Sequence, residues 1–530
     1  ENADNARAQE KRIGLSADYG REFFTLDPKL TKIVYDTFYK MYEEGLVYRD
    51  KRIVNQCPNC KTALADVDTE HEERRGIFAY IRYPFVDGDG KDGITVATTR
   101  PETMLGDTAV AVNPNDERYK QYIGKKVLLP IAEREIPIIA DEDVDMELGT
   151  GAVKVTPAHS PVDFEISKKH NLEVENVIDA EGKMTGNVPE RFKGMMTIDC
   201  SKALCVELDK LGLLEKIENI KHEVSICERC KTAIEPIISN QWYVNVEPLA
   251  KKALEALKNG NVQVIPEGQQ RALEFFFENI QPWCISRQLW WGQRIPVWYN
   301  GGKELYDWLN ENKGKGVADF EIETGKKANG TGEIKLGEEN PGEGWEPETD
   351  VFDTWFSSGQ LPYSTLGGPD GEDYAKYYPT QIMIHARDIL FWWSARMIMM
   401  GLYRTEKVPF PTVFLTGLIL ASDGSKMSKS KGNGIEPSEV FEKYGADSLR
   451  LWYYSDALPG SNAPIREEKI KGNRNFVNKI WNASRFILMN IDESEIEKIK
   501  AHQLIETERM KKTRDHVLQV SRYIEKYQFN

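Results

Sequence analysis

Long apolar runs are missing from this sequence. No stretch reaches the roughly 18 consecutive apolar residues of a membrane span, and the most apolar window, residues 389–402, is interrupted by Ser394 and Arg396. A charged-then-apolar leader is also missing, because the opening ENADNARAQEKR is polar throughout. Basic residues are outnumbered, 69 Lys and Arg against 84 Asp and Glu. The resulting net charge of -15 argues against a bulk nucleic-acid coat protein but leaves room for a local basic face. No internal repeat is visible. Hydrophobic residues at 40% and charged residues at 29% exclude a disordered or fibrous chain. The 530 residues predict about three or four domains, an intracellular, cytoplasmic location and no membrane partner.

Cysteine is scarce, with seven in all, yet four of them fall in two pairs of the same design. Cys57-Pro-Asn-Cys60 and Cys227-Glu-Arg-Cys230 share the C-x-x-C spacing and are each followed by Lys-Thr-Ala. Four thiolates from two knuckles suit a tetrahedral structural zinc ion. A redox pair and four unrelated buried cysteines are the alternatives; one pair would suffice for redox work, so zinc is preferred. Cys200, Cys205 and Cys284 read as small core residues.

The 166 residues between Cys60 and Cys227 are too many for one metal loop. They predict a domain inserted between the halves of the metal site, rich in short strands such as 94–98, 127–131 and 153–156. Before it, Asp27-Pro28 and the apolar stripe Leu30, Ile33, Val34, Phe38, Met41 and Tyr42 predict a core-facing helix that Gly45 ends. After the second knuckle, residues 242–289 read as helical in parts, and the Gly-, Lys- and Glu-rich stretch 301–348 as a surface insertion or mobile loop. Apolar segments at 382–384, 389–402 and 412–420 then follow in the strand–helix–strand order of a parallel α/β sheet. From Ser438 onward the pattern is helical.

The strand at 412–420 runs into Ser422-Asp-Gly-Ser-Lys426-Met427-Ser428-Lys429-Ser430-Lys431. A lysine-rich loop after a sheet strand places ammonium groups on a polyphosphate. Spelled Lys-Met-Ser-Lys-Ser, it resembles the signature loop of class I aminoacyl-tRNA synthetases. Pro282-Trp-Cys-Ile-Ser-Arg287-Gln-Leu-Trp290-Trp291-Gly and Asp353-Thr-Trp355-Phe-Ser-Ser resemble two walls of the synthetic site in the isoleucine/leucine/valine subgroup. Ala97-Thr98-Thr99-Arg100-Pro101-Glu102-Thr103 and Lys154-Val-Thr156-Pro-Ala-His159-Ser160-Pro-Val-Asp163 resemble the hydrolytic editing domain of its valine branch.

The resemblance implies an α/β multidomain fold. A class I Rossmann-like parallel sheet, incomplete here, carries an inserted β-rich α/β editing domain, a zinc knuckle and the start of a C-terminal helical bundle. The implied boundaries are 1–71 for the remnant of the N-terminal catalytic region with the first knuckle, and 72–223 for the editing domain. Residues 224–464 take the second knuckle, the second half of the catalytic domain and the signature loop; 465–530 begin the anticodon-binding helices. The implied reaction is ATP-dependent activation of valine and its transfer to tRNA(Val), with Mg2+, by a monomer. Lys426 and Lys429 would act on ATP, and Trp291, Asp353 and Trp355 would line the amino-acid pocket.

A pocket sized for valine rejects isosteric threonine only about 100-fold, a value established for valine enzymes of this kind, so a second, hydrolytic sieve is needed. A pocket that clears a threonyl ester wants a carboxylate for the α-ammonium, which Asp163 suits. It also wants donors for the side-chain hydroxyl, which Lys154 and Thr156 suit. Thr98, Thr99, Arg100, Glu102 and Thr103 would frame the terminal adenosine, with His159 orienting rather than transferring a proton. The resemblance departs at Ser160, where the family has Asp, and at His385-Ala-Arg387-Asp388, to which no role is assigned. His-x-Gly-His, the other class I signature, is absent, so the chain reads as an internal fragment unable to adenylate. ATP–pyrophosphate exchange lost on Lys429→Ala would refute that expectation.

Residues 465–486 hold six basic side chains against two acidic ones, interleaved with Phe476 and Trp481, and are a candidate tRNA face as well as an ordinary solvated one. Isoleucine specificity is the alternative within the family. A zinc-bearing tRNA-binding module without catalysis is the alternative from another class, and a free-standing deacylase would leave residues 426–430 without a use.

Overall fold

The computed structural model describes residues 2–65, 68–88, 92–427, 432–456, 459–492, 494, 497 and 508–527. Two compact units emerge, each built from separate stretches of chain: Glu1–Ile33, Glu247–Ile280 and Ser358–Asn530 in one, Val34–Val246 and Gln281–Ser357 in the other.

The first unit contains a three-stranded parallel sheet ordered Gln263–Ile265, Thr412–Thr416, Met383–Ala386. Parallel pairing demands crossover connections, and helices Gly268–Glu278 and Ala395–Thr405 lie along the chain between these strands. The continuous strand expected at 412–420 is split. It stops at Thr416 and resumes at Ile419–Leu420, which pairs with Ala463–Pro464. Gly417 is the reason: a Cβ there would sit 1.7 Å from the Ser461 carbonyl oxygen, so only glycine admits that backbone. The expected helix at 389–402 begins as a 3-10 turn and a π-turn at Leu390–Ser394 before the α-helix Ala395–Thr405. Helices Pro437–Tyr444, Ala446–Asp456, Glu467–Asn490 and Glu508–Glu525 follow. On Glu467–Asn490, Phe476, Ile480, Trp481 and Phe486 are exposed. No helix among the described residues is long and apolar enough to cross a membrane.

In the second unit, Val34, Phe38 and Met41 of helix Pro28–Glu43 are buried, as their spacing predicts. Phe38 meets Trp242 edge-on at 5.8 Å and Phe352 at 5.2 Å, which anchors the helix to a four-stranded antiparallel sheet ordered Trp283–Cys284, Glu235–Val244, Val47–Cys57, Thr62–Leu64. Gly45, at φ 72°, turns the chain out of the helix.

From that sheet, strands Thr69–Pro84 and Leu214–Cys227 run out as a paired antiparallel ribbon, Thr69 opposite Cys227, with Gly93–Thr98 added on the far side. A second sheet, ordered Lys126–Leu129, Arg134–Ala140, Ala109–Val112, Ala152–Val155, and helices Pro161–His170 and Thr197–Lys210 complete the inserted domain. Its core is its own: Ile81, Val96, Met104, Val110, Val127 and Leu204 belong to one fully buried cluster. Burying that much aliphatic surface stabilises such a domain without help from its neighbours.

Of the two readings of residues 301–348, a surface insertion or a mobile loop, the second does not hold. The residues form helices Lys303–Glu311 and Val317–Thr324, and strands Ile334–Leu336 and Trp345–Pro347 flank Val297–Asn300 in a sheet. The few large apolar residues are placed where they count: Leu305 and Phe320 are buried, and Trp308 packs edge-on against Phe320 at 5.5 Å. A polar network does the rest. Glu348 is fully buried and accepts from Trp242 Nε1 at 3.0 Å, Tyr299 Oη at 2.6 Å and Lys303 Nζ at 2.6 Å. Lys303 and Arg49 hold its carboxyl down at about 2 against the upward push of burial.

Candidate functional site: a buried polar cluster in the inserted domain

Strand Ala152–Val155 alternates its faces, so Lys154 is turned inward toward the 3-10 turn Pro101–Gly106. Its ammonium finds a complete set of partners there: Thr103 Oγ1 at 2.7 Å, Thr156 Oγ1 at 2.5 Å and Asp107 Oδ1 at 3.4 Å. Asp107, wholly buried, accepts also from the Thr156 hydroxyl at 2.5 Å and from Tyr83 Oη at 2.6 Å. Burial pushes the Asp107 carboxyl up and Lys154 pulls it back. A buried carboxylate with three donors and a buried ammonium with three acceptors satisfy one another, which is what makes such a cluster tolerable in an apolar core.

Asp163 opens helix Pro161–His170, whose N-cap Ser160 accepts from the Asp163 amide at 3.3 Å. Ser160 thus keeps the capping role that an aspartate at this position would also fill. The Thr156 amide donates to Asp163 Oδ2 at 2.8 Å, and burial raises the Asp163 carboxyl. Thr103, Lys154, Thr156 and Asp163 are therefore brought together. Thr98 caps the turn by accepting from the Arg100 amide at 3.0 Å; Glu102 is buried, and Thr99 is half-buried. Arg100 donates to Glu102 at 3.0 Å and pairs with Glu235 on strand Glu235–Val244.

His159 stands apart from proton transfer. The Val177 amide donates to its Nε2 at 3.0 Å, so the ring proton is on Nδ1 and is given to the Pro236 carbonyl at 3.0 Å. Burial, with Arg100 and Lys154 nearby, lowers its pKa to about 3. The ring is thus neutral near neutral pH, with both nitrogens engaged.

Asp107 and Glu235 are the residues that sequence reasoning missed. Asp107 lies four positions beyond Thr103, where the motif had been closed, and an aspartate inside the apolar stretch 104–112 was the signal. Glu235, five residues beyond Cys230, carries no local signal.

The four cysteines converge as their spacing predicts: the sulfurs of Cys57, Cys60, Cys227 and Cys230 all lie within 4.8 Å of one another. Cys57 and Cys230 approach to 3.4 Å. On a tetrahedron with metal–sulfur bonds of about 2.3 Å the sulfurs stand about 3.8 Å apart, so the donor set and its size fit a metal ion. Both knuckles turn alike, with Lys61 and Lys231 at φ 56° and 59° and their amides donating to the Cys57 and Cys227 carbonyls at 2.8 Å.

The remaining expected residues lie elsewhere. Asp353 is buried, accepting from Trp283 Nε1 at 2.9 Å, pairing with Arg287 at 3.1 Å and receiving the Trp355 amide at 3.2 Å. It fixes the two peptides that carry Trp291 and Trp355. Trp291 is 61% exposed and packs edge-on against Trp290 at 5.6 Å. Lys426 is exposed at the end of a turn closed by Ala421 N–H to Ser425 O at 2.9 Å. Lys429 lies outside the described residues.

One unit holds a Rossmann-type parallel sheet; in the other, an inserted domain with a four-cysteine cluster at its root separates the paired strands Val47–Cys57 and Glu235–Val244, and into this frame the comparisons with known proteins fit. The family model for class I tRNA synthetases (I, L, M and V) matches residues 1–463, and the chain belongs to that family. Among curated proteins it is 47% identical over 526 residues to a valine–tRNA ligase of Clostridium tetani, covering 98% of this chain and 57% of that one. The valine–tRNA ligase of Bacillus subtilis is 46% identical over 541 residues, covering 100% and 58%, and that of Geobacter sulfurreducens 48% over 485, covering 91% and 52%. The chain spans about half the length of these relatives. A solved leucyl-tRNA synthetase–tRNA complex of Agrobacterium radiobacter matches at a TM-score of 0.42 and 16% identity, over 91% of this chain and 63% of that one, too low to carry an argument.

Proposed function

We propose that this chain belongs to a valine–tRNA ligase, an enzyme that activates valine with ATP and Mg2+, transfers it to tRNA(Val) and hydrolytically removes threonine attached in error, and that the chain itself, without His-x-Gly-His, carries the hydrolysis but does not form the adenylate. The observation that carries the reading is the convergence of Thr103, Lys154, Thr156 and Asp163 in the inserted domain. In this reading, the carboxylate of Asp163 binds the α-ammonium of the misattached amino acid. Lys154 and Thr156 exchange one of their present bonds, to Thr103 or Asp107, for the hydroxyl that distinguishes threonine from valine, which a purely apolar pocket cannot read. The turn Thr98, Thr99, Arg100, Glu102 and Thr103 frames the terminal adenosine, and His159 orients its neighbours. Residues 72–223 are then the editing domain, and 1–71, 224–464 and 465–530 the catalytic and tRNA-facing parts.

Trp291, Asp353 and Trp355 belong in this reading to the valine pocket, Asp353 by holding the two tryptophan peptides. In the whole ligase, Lys426 and Lys429 place positive charge on the phosphates as adenylate forms. The four thiolates take structural zinc, which supplies a rigid crosslink between the two ends of the inserted domain and no step of the reaction.

The test is deacylation of threonyl-tRNA(Val) beside valyl-tRNA(Val), with Asp163→Ala in parallel. Loss of threonine alone, abolished in the variant, supports the reading. Retained tRNA binding without hydrolysis overturns the editing assignment and favours a zinc-bearing tRNA-binding module.

A further inference from the structure

Two consecutive residues at the root of the second knuckle hold three separate segments of the inserted domain. Glu235 lies on strand Glu235–Val244 directly opposite Gln56, the residue before Cys57, and five residues beyond Cys230. Its side chain is only 10% exposed. One carboxylate oxygen takes the Arg100 guanidinium; the other accepts from the Thr197 hydroxyl at 2.9 Å, at the first residue of helix Thr197–Lys210. The Pro236 carbonyl takes the Nδ1 proton of His159 at 3.0 Å.

The Arg100 and His159 contacts lead on to the candidate site. The Arg100 carbonyl accepts from the Thr103 hydroxyl at 2.9 Å, and Thr103 Oγ1 accepts from Lys154. The His159 amide donates to the Thr156 carbonyl at 3.1 Å. An amide could keep Thr197, whose hydroxyl can accept from NH2, but it would offer Arg100 a neutral oxygen in place of a paired charge, so the Arg100 arm is the one that needs the carboxylate.

We propose that Glu235 is a positioning residue for the ester hydrolysis: it latches the Arg100 turn to the strand that leaves the cysteine cluster and, through Arg100 and Thr103, sets the place of Lys154. This rests on the hydrolytic reading above. The cysteine knuckles fix the latch because Gln56 and Glu235 are paired across the strands that carry Cys57 and follow Cys230.

The test uses the whole chain with Glu235→Gln, Arg100→Gln and the double variant, read in two ways. By hydrogen exchange, Glu235→Gln speeds exchange at 98–105 about tenfold while the strand Ala109–Val112 is unchanged, a local opening rather than a loss of the domain. In threonyl-tRNA(Val) deacylation, Glu235→Gln lowers kcat about tenfold with KM changed less than about twofold, as a displaced group costs rate without costing binding. In the Arg100→Gln background it has no further effect. Unchanged exchange at 98–105, exchange raised equally at 109–112, or an undiminished effect without Arg100 overturns the latch. An unaltered chain that hydrolyses nothing overturns the hydrolytic reading by itself, and the exchange measurement then decides the latch.

Discussion

Replacing Asp107 by asparagine tests the account of the buried cluster most directly, because shape is kept and one charge is removed. Asp107 takes three hydrogen bonds, from Tyr83 Oη, the Thr156 hydroxyl and Lys154 Nζ, in a place without solvent. The amide oxygen of asparagine can serve Thr156 and Lys154 or Tyr83, but not both sides, so a buried hydroxyl loses its acceptor at a cost of about 1–3 kcal/mol. Lys154, whose side chain is 9% exposed, loses its counter-charge, and breaking a buried pair from one side costs about 3–5 kcal/mol. The two penalties overlap, since one rearrangement relieves part of both; the expected total is about 4 kcal/mol.

Global unfolding is a poor measure in a chain with two compact units, so the quantity to read is the opening free energy of Ala109–Val112, the fully buried strand two residues beyond Asp107. Asp107→Asn should lower it by about 4 kcal/mol, and Asp107→Asn combined with Lys154→Met, which removes the stranded charge at similar volume, should recover about half of that loss. A single variant that costs under about 1 kcal/mol, or a double variant no better than the single, would show that the charge on Asp107 does not compensate Lys154.

Three further outcomes are expected. His159, neutral in the fold with its pKa at about 3 against the ordinary 6.5, gains a proton only in the unfolded chain between those values, so its contribution is complete above pH 6.5 and is lost as pH falls. The inserted domain should lose about 2 kcal/mol between pH 6.5 and 5, and His159→Gln should flatten that slope; an identical slope in the variant refutes the assignment. Protein purified without chelator should carry about one equivalent of zinc, and Cys60→Ser should lose it; less than about half an equivalent in the unaltered chain sinks the four-thiolate site. Glu348, with its pKa depressed to about 2, keeps its stabilising charge at any pH above 4.5 and loses it as pH falls toward 2. Glu348→Gln should open the 297–352 segment by about 3–5 kcal/mol near neutral pH, measured by hydrogen exchange, and an effect below about 1 kcal/mol would show the Lys303 pair to be dispensable.

What could be read from the sequence was set by how local each determinant is. The helix at 28–43, its glycine stop and both cysteine knuckles depend on neighbours within a few residues, and those readings correspond to what the fold contains. So does the insertion between the knuckles, because Cys60 and Cys227 must return to one place for four sulfurs to meet. The split at Gly417 was not legible, since it is caused by the Ser461 carbonyl 44 residues away. For 301–348, composition left a surface insertion and a mobile loop both open, because it measures average hydrophobicity, whereas the segment is held by three well-placed apolar side chains and by Glu348.

The candidate site divides along the same line. Lys154, Thr156 and Asp163 share one strand and the helix after it, so their motif was visible as a motif. Arg100, by contrast, was visible only as a name. Its partner Glu235 lies 135 residues on, beyond both the inserted domain and the second knuckle. Read alone, an arginine beside a row of threonines suggests a hand held out to a ligand; in the fold, its guanidinium is already held by Glu102 and Glu235. His159, read from the sequence as orienting rather than reactive, likewise has its two nitrogens committed, to Val177 and Pro236. Which of these side chains a sequence motif names says nothing of what already holds them, because their partners lie far along the chain.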